Sequence, residues 1–295
     1  MDFIQKRKIF YALSGAMIGV SFLSLLIFGF NWGIDFTGGT LWEISTAGDI
    51  SRSIEKIRNY LEENDLGQVN IQTTSDNSLI LRFPSISEER HDQLLEGLKK
   101  IIPSIEEKRF ESVGPSIGQE LKTKSVWATV LVFLGILIYL WYAFRRSSSG
   151  IPPYRYGILA IIALMHDAMF IVGLFSILGK FQGWEVNSDF LVALLVVVGY
   201  SVHDTIVVFD RIRENLRLKT KESLENIVNL SIQQTLMRSL NTSLTTLFPL
   251  IMLYFFGPLS TKILALAMIG GVIIGTYSSI CLVAPLLYDW SIKKG

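Results

Sequence analysis

Long apolar runs alternate with polar stretches along this chain, and the apolar runs set its architecture. Six of them, at about 9–30, 126–144, 158–178, 190–209, 240–256 and 263–288, are roughly 18 to 25 residues long, the length at which a helix crosses about 30 Å of hydrocarbon. The pattern predicts six transmembrane helices. The first follows Lys6, Arg7 and Lys8, as a secretory signal would. It is longer than a signal's apolar segment and lacks a small-x-small cleavage site after it, so it is read as an uncleaved anchor.

The stretch 31–122, between the first and second runs, is charged and mixed. Strand-like segments at 40–44, 69–73, 79–83 and 108–113 alternate with two amphipathic segments. One is 50–63, with Ile54, Ile57 and Leu61 on one face. The other is capped by Ser87, carries Glu88 and Glu89 in its first turn, and turns Leu94, Leu95, Leu98 and Ile101 inward. The order β-α-β-β-α-β predicts a small α+β, ferredoxin-like domain, an arrangement that hosts many activities and fixes none. Its expected use is a protein-contacting surface. The chain thus divides into 1–30, with the first span; 31–122, the water-facing domain; and 123–295, with spans two to six. Between the fourth and fifth spans, polar 211–238 carries Leu216, Leu224, Ile227, Val228 and Ile232 at intervals. That spacing suits either an amphipathic helical pair at the membrane interface or an ordinary connecting loop.

Charge fixes an orientation. If every run spans, Lys6, Arg7 and Lys8, then Arg145, Arg146 and Arg155, then the basic residues of 211–221, and finally Lys293 and Lys294 fall on one side. The positive-inside rule makes that side, and both termini, cytoplasmic. Composition agrees with a membrane class: 50% hydrophobic, 18% charged, mean hydropathy +0.42. A net charge of +1 with no basic face argues against nucleic acid. Cys281 is the only cysteine, which excludes disulfide frameworks and cysteine-based metal or redox motifs. No triad, P-loop or dinucleotide fingerprint is present, so neither enzyme chemistry nor a cofactor is expected.

Ionisable side chains inside a span cost roughly 2.5–3.5 kcal/mol each, so they mark candidate functional positions. The third span carries His166 and Asp167, and the fourth His203, Asp204 and Thr205; Arg238 stands at the mouth of the fifth, one turn before Asn241 and Thr242. Each is expected to look inward. Asp204, Arg238, Asp167 and His203 would then form one buried polar cluster, read either as a structural network fixing helix register or as an ion relay. In the relay, moving the Arg would switch Asp204 between uptake and release. A metal at His166 and His203 lacks a third ligand. Asp210, beside Arg211 and Arg213, reads as an exposed ion-pair partner. Ala267, Gly271, Gly275 and Ser279 in the sixth span, and Gly15 and Gly19 in the first, repeat at four-residue intervals and predict close helix contacts. Pro249 and Pro285 predict kinks.

Several of these stretches together resemble the SecD/SecF family of bacterial protein-export membrane proteins, within the resistance-nodulation-division superfamily. The stretches are Asp35-Phe36-Thr37-Gly38-Gly39, Val113-Gly114-Pro115-Ser116-Ile117-Gly118, Ala163-Leu164-Met165-His166-Asp167, the fourth-span run from Gly199 to Asn215, and Arg238-Ser239-Leu240-Asn241-Thr242. The resemblance runs nearly end to end and lies with the smaller member of the pair. It implies six spans forming half of a pseudo-symmetric bundle completed by the six of SecD. It also implies association with the SecYEG channel, a translocating preprotein as substrate, and use of a proton or sodium gradient at the bacterial inner membrane. The family's ion-coupling pair maps onto Asp204 and Arg238, and its motif residues onto Asp35, Gly38, Gly39, Gly114, Pro115 and Gly118. The residue before the Asp, commonly Asn in the family, is His203 in this chain. A scaffold that only assembles SecD with the channel is the competing expectation, and it would tolerate a neutral residue at Asp204. Small-molecule efflux is disfavoured, because some 90 residues outside the membrane are few for a drug-binding domain.

Overall fold

The computed structural model describes residues 2–46, 50–67, 69–73, 78–145 and 150–292; Arg146, Lys293 and Lys294 lie outside the described residues. The chain enters with α1 (Arg7–Phe28). The single turn α2 (Ile34–Thr37) leads into β1 (Gly39–Thr46), α3 (Ile50–Glu63), β2 (Asn70–Thr73), β3 (Ser78–Phe83), α4 (Glu88–Ile101) and β4 (Ile105–Val113). Then come α5 (Pro115–Phe144), α6 (Pro153–Gln182), α7 (Ser188–Leu218) and α8 (Leu224–Phe256). The last span is α9 (Leu259–Tyr277), a π-helical turn (Ser278–Val283) and α10 (Ala284–Ile292). Among the described residues six helical segments are long and apolar enough to cross a membrane, as the hydrophobic pattern predicts.

Two units separate, one made of Met1–Asn31 with Ala128–Gly295, the other of Trp32–Trp127. In the second, the sheet order is β2-β3-β1-β4, antiparallel throughout, which is the ferredoxin-like arrangement. Period-two alternation builds its core. Trp42, Ile44, Leu79, Leu81 and Phe83 face the helices and meet Ile57, Leu61, Leu94 and Leu98, while Leu41 and Ile80 turn to the other face and pack on Ile34. Ser87 caps α4 by accepting from Arg90 N. Ile101 departs from expectation: it is exposed, and Ile102, where α4 ends, is buried in its place. The two glycine motifs meet in this unit. A Cβ on Gly38, at φ +74, would lie 2.8 Å from Pro115 Cα, and one on Gly118 would lie 2.8 Å from Gly38 N. Only glycine permits both the backbone sign and the approach.

In the membrane unit, α6, α7 and the sixth span form the centre. The four-residue stripe of the sixth span lies on α7 step by step. Gly271 receives Val197, Gly275 receives Ser201, and the Ser279 hydroxyl meets Thr205 Oγ1 at 2.8 Å. Small residues bring backbones close where lipid offers no hydrophobic drive. The same pattern in α1 does not work this way, since a Cβ on Gly15 or Gly19 would meet nothing within 4 Å. α1 packs through serines instead: Ser21 sits on Gly173 of α6, and Ser24 Oγ donates to Gly173 O at 3.2 Å. Pro285 stands beside a change in helix type. The π-helical turn lies just ahead of it, where a ring without N–H would otherwise clash with the carbonyl of Cys281. α8 continues through Pro249.

At about 1.5 Å per residue α7 and α8 are each well over 40 Å long, so their ends outreach the hydrocarbon. The segment 211–238 is thus helical on both sides of a short connector rather than an ordinary loop. It is the continuation of both helices around the connector 219–223, closed by Asn215 Nδ2 donating to Ser231 Oγ and Gln234 Oε1 and by buried Ile227, Val228 and Ile232. The same end of the bundle holds Phe3 N and Ile4 N, which donate to Asn229 Oδ1, and Arg7, paired with Asp289 at 2.9 Å. At the other end Asn31 joins Gly183, Trp184 and Val186.

Candidate functional site

Asp204 lies on α7 and is 6% exposed. Its Oδ1 accepts from Ser239 Oγ of α8 at 2.6 Å, and its Oδ2 is buried with no hydrogen-bond partner. A carboxylate in a span costs roughly 2.5–3.5 kcal/mol; one hydrogen bond to a charged group returns about 1.5–3. Ser239 thus offsets much of that cost and leaves Oδ2 without a partner in an apolar interior. Ser239 belongs to a hydroxyl series. Ser243 Oγ donates to Ser239 O at 2.8 Å, lies 2.5 Å from Thr276 Oγ1 and is 3.2 Å from Tyr200 OH.

Asp167 of α6 is a second centre. Its Oδ2 accepts from Ser201 Oγ and, at 2.8 Å, from Ser278 Oγ; its Oδ1 lies 2.9 Å from His166 Nδ1. The single cluster expected from the sequence is therefore two sites served by α7, with Ser201 turned to Asp167 and Asp204, one turn on, turned to Ser239. His203 and Arg238 are not members of either. Both are exposed, and neither makes a hydrogen bond to Asp204. Asn241 and Thr242 are exposed as well, and Thr242 Oγ1 donates to Arg238 O of its own helix. The inward face of α8 is Ser239 and Ser243 instead. These hydroxyls, with Ser201 and Ser278, fall outside the residues expected from the sequence; the signal that could have found them is serine and threonine at four-residue steps, 201 and 205 on α7 and 239 and 243 on α8.

Arg238 lines a cleft of about 370 Å³ at the polar end of α7 and α8, with Asp210, Arg211, Glu214, Gln234 and Thr235. Val207 and Thr235, also in its lining, are one turn from Asp204 and Ser239. Asp210 is ion-paired with Arg213 at 3.0 Å, the partner role its sequence position suggests. Among the described residues no three His, Cys, Asp or Glu side chains gather as a metal site.

Comparisons with known proteins agree in direction. A family model described as protein export membrane protein SecD/SecF, C-terminal, matches residues 93–293, and the SecD/SecF GG motif matches 23–47, the stretch that includes Gly38 and Gly39. The chain is 43% identical to the protein translocase subunit SecF of Thermobaculum terrenum, covering 99% of this chain and 95% of that one. It is 38% identical to that of Anaerolinea thermophila, covering 98% and 94%. Among solved structures it is similar to SecDF, a translocon-associated membrane protein from Thermus thermophilus, with TM-score 0.81 and 34% identity over 98% of this chain. It spans 38% of that longer chain. On the strength of matches that cover two thirds of its length by family and nearly all of it by relatives, the chain belongs to the SecD/SecF family of protein export membrane proteins.

Proposed function

We propose that this chain is a SecF-type subunit which, with a SecD partner, couples a proton or sodium gradient across the bacterial inner membrane to translocation and release of preproteins delivered through the SecYEG channel. The observation that carries the coupling is Asp204, a buried carboxylate with one oxygen held by Ser239 and the other without a partner. Binding a cation at Oδ2 cancels the buried charge, and each charge moved through 100 mV supplies about 2.3 kcal/mol. The cleft lined by Arg238 offers the ion a route from the polar end of the bundle, which the positive-inside rule places in the cytoplasm together with both termini. The unit Trp32–Trp127 then faces outward, where it would meet emerging polypeptide.

The SecD partner has a surface to fill. His203, Arg238, Asn241 and Thr242 lie exposed on α7 and α8, and polar and ionisable groups of a span rarely face lipid, turning to a partner or to water instead. A second six-helix half covering this face would give them partners.

The test is gradient-driven export into vesicles containing both subunits and the channel, comparing the native chain with Asp204→Asn at matched assembly. Loss of the gradient-stimulated fraction, with ATP-driven export retained, is expected. Export that responds to the gradient as before returns the chain to a scaffold role. Imposing a proton gradient and a sodium gradient separately identifies the ion.

A further inference from the structure

His166 and Asp167 are consecutive on α6 and both buried. Asp167 Oδ2 is occupied by two hydroxyls, those of Ser201 and Ser278, the latter also within reach of Gly275 O at 3.1 Å. Oδ1 faces His166 Nδ1 at 2.9 Å. The other ring nitrogen, Nε2, is buried and has no hydrogen-bond partner. An imidazole that donates from one nitrogen to a carboxylate presents a lone pair at the other. A buried acceptor left unmet costs about 1–3 kcal/mol, and with Nδ1 as the donor to an ionised Asp167 the pair carries one negative charge in an apolar helix bundle.

We propose that the His166–Asp167 pair is a proton-binding site separate from Asp204, with His166 Nε2 as the atom that takes the proton. On uptake the new N–H bond forms at Nε2, Nδ1 and Oδ1 keep sharing their hydrogen, and the pair passes from one negative charge to none. The site deepens the ion-coupling reading: it rests on that reading for what the proton accomplishes, not for where the proton binds. Its charge is felt at the seam between α7 and the sixth span. Ser201 is one turn before Asp204 and Thr205, while Ser278 adjoins Ser279, whose hydroxyl meets Thr205. The imidazolium formed on uptake draws the carboxylate's charge toward Oδ1, so the bonds from both serines to Oδ2 weaken while remaining charge-assisted. The π-helical turn gives Ser278 a stretch of backbone whose hydrogen bonding is already shifted.

The other titratable groups on the packed elements are placed as follows. Tyr277 of the sixth span lies with its ring centroid 6.5 Å from the imidazole, and its hydroxyl donates to Phe10 O. Cys281 is half-buried in the π-helical turn. Tyr11 of α1 donates to Asp289, and Asp204 of α7 is held by Ser239. The cations Arg7, Arg155 and Arg211 are engaged at the polar end with Asp289, Trp290 and Glu214.

The chain has three histidines, His91, His166 and His203, which makes the site directly readable. The full-length chain, labelled with nitrogen-15 histidine and reconstituted in phospholipid vesicles, gives three imidazoles, assigned through His91→Gln and His203→Gln. Between about pH 8 and about pH 5, the interval of imidazole chemistry, His166 Nε2 is expected to pass from bare to protonated while Nδ1 stays protonated. In Asp167→Asn the protonated Nε2 form is expected to be lost from that interval. An Nε2 that remains bare throughout in the native chain, or that titrates identically in Asp167→Asn, overturns the proposal. Because Asp167→Asn removes a tie between three helices, Ser278→Ala serves as the gentler companion. It is expected to move the His166 midpoint and leave that of His203 in place; a midpoint that does not move overturns the link to the π-helical turn. The readout is independent of export. If His166 titrates while Asp204→Asn exports normally, the coupling reading falls and this site stands. If export depends on Asp204 and His166 never titrates, this site falls alone.

Discussion

Among the described residues two carboxylates are buried in apolar helices, and they are furnished unequally: Asp167 gathers three hydrogen-bonding neighbours, Asp204 only Ser239. A hydrogen bond to a charged group contributes about 1.5–3 kcal/mol, so Ser239→Ala is expected to shift ion binding at Asp204 by about tenfold or more. The midpoint of gradient-driven export against ion concentration reads this shift. His203→Asn, at an exposed position with no hydrogen bond to Asp204, is expected to move the same midpoint less; an equal or larger shift would make His203, rather than Ser239, the side chain that tunes the carboxylate. The acid was legible because a lone carboxylate stands out in an apolar run. Its partner was not, because serine is common in spans, where its hydroxyl can bond to its own helix's backbone and so need not mark a site. Asn241 is two residues past Ser239, about 200° around a helix with 3.6 residues per turn, and so faces away when Ser239 faces in.

At the level of elements, the seam between α7 and the sixth span depends on hydrogen in place of a side chain. A Cβ on Gly271 would come within 2.1 Å of Val197 Cγ2, whereas one on Gly15 would meet nothing within 4 Å. Overpacking a fitted interface costs about 1–3 kcal/mol or more. Gly271→Leu is therefore expected to lower the melting temperature of the detergent-purified chain by several degrees, and Gly15→Leu to leave it within error. Equal melting temperatures would mean that the close approach contributes nothing. Both stripes were visible in the sequence. A stripe reports that a backbone can be approached closely, without saying by which helix, and in α1 none of the chain's described elements does so. The response to Pro285 was similarly half legible. A missing N–H and a bulky ring announce a disturbance, but whether it bends the helix or widens it to a π-helical turn depends on what packs there, and Ser278 and Ser279 are both tied to neighbours.

For the whole molecule, the sequence was most readable where physics is one-dimensional. Span length follows from hydrocarbon thickness, and the β-α-β-β-α-β order follows from period two giving way to period 3.6, with Trp42, Leu79 and Leu81 falling on the helix-covered face. What it could not show was how polar residues distribute between an interior and an exposed face, since Asp204, His203 and Arg238 look alike as letters. Sidedness is testable directly. In a Cys281→Ser background, a cysteine replacing Gln182 is expected to react with a membrane-impermeant maleimide on intact cells, and one replacing Lys221 only after permeabilisation; the reverse order would invert the assigned orientation. The overhang of α7 and α8 beyond the hydrocarbon gives this arrangement leverage. From Asp204 to Leu218 is about 21 Å of unbroken helix at 1.5 Å per residue. Pivoting α7 at Asp204 by about 10° would therefore sweep its tip through nearly 4 Å, so that an event involving a single ion deep in the bilayer becomes a displacement in water large enough for another protein to feel.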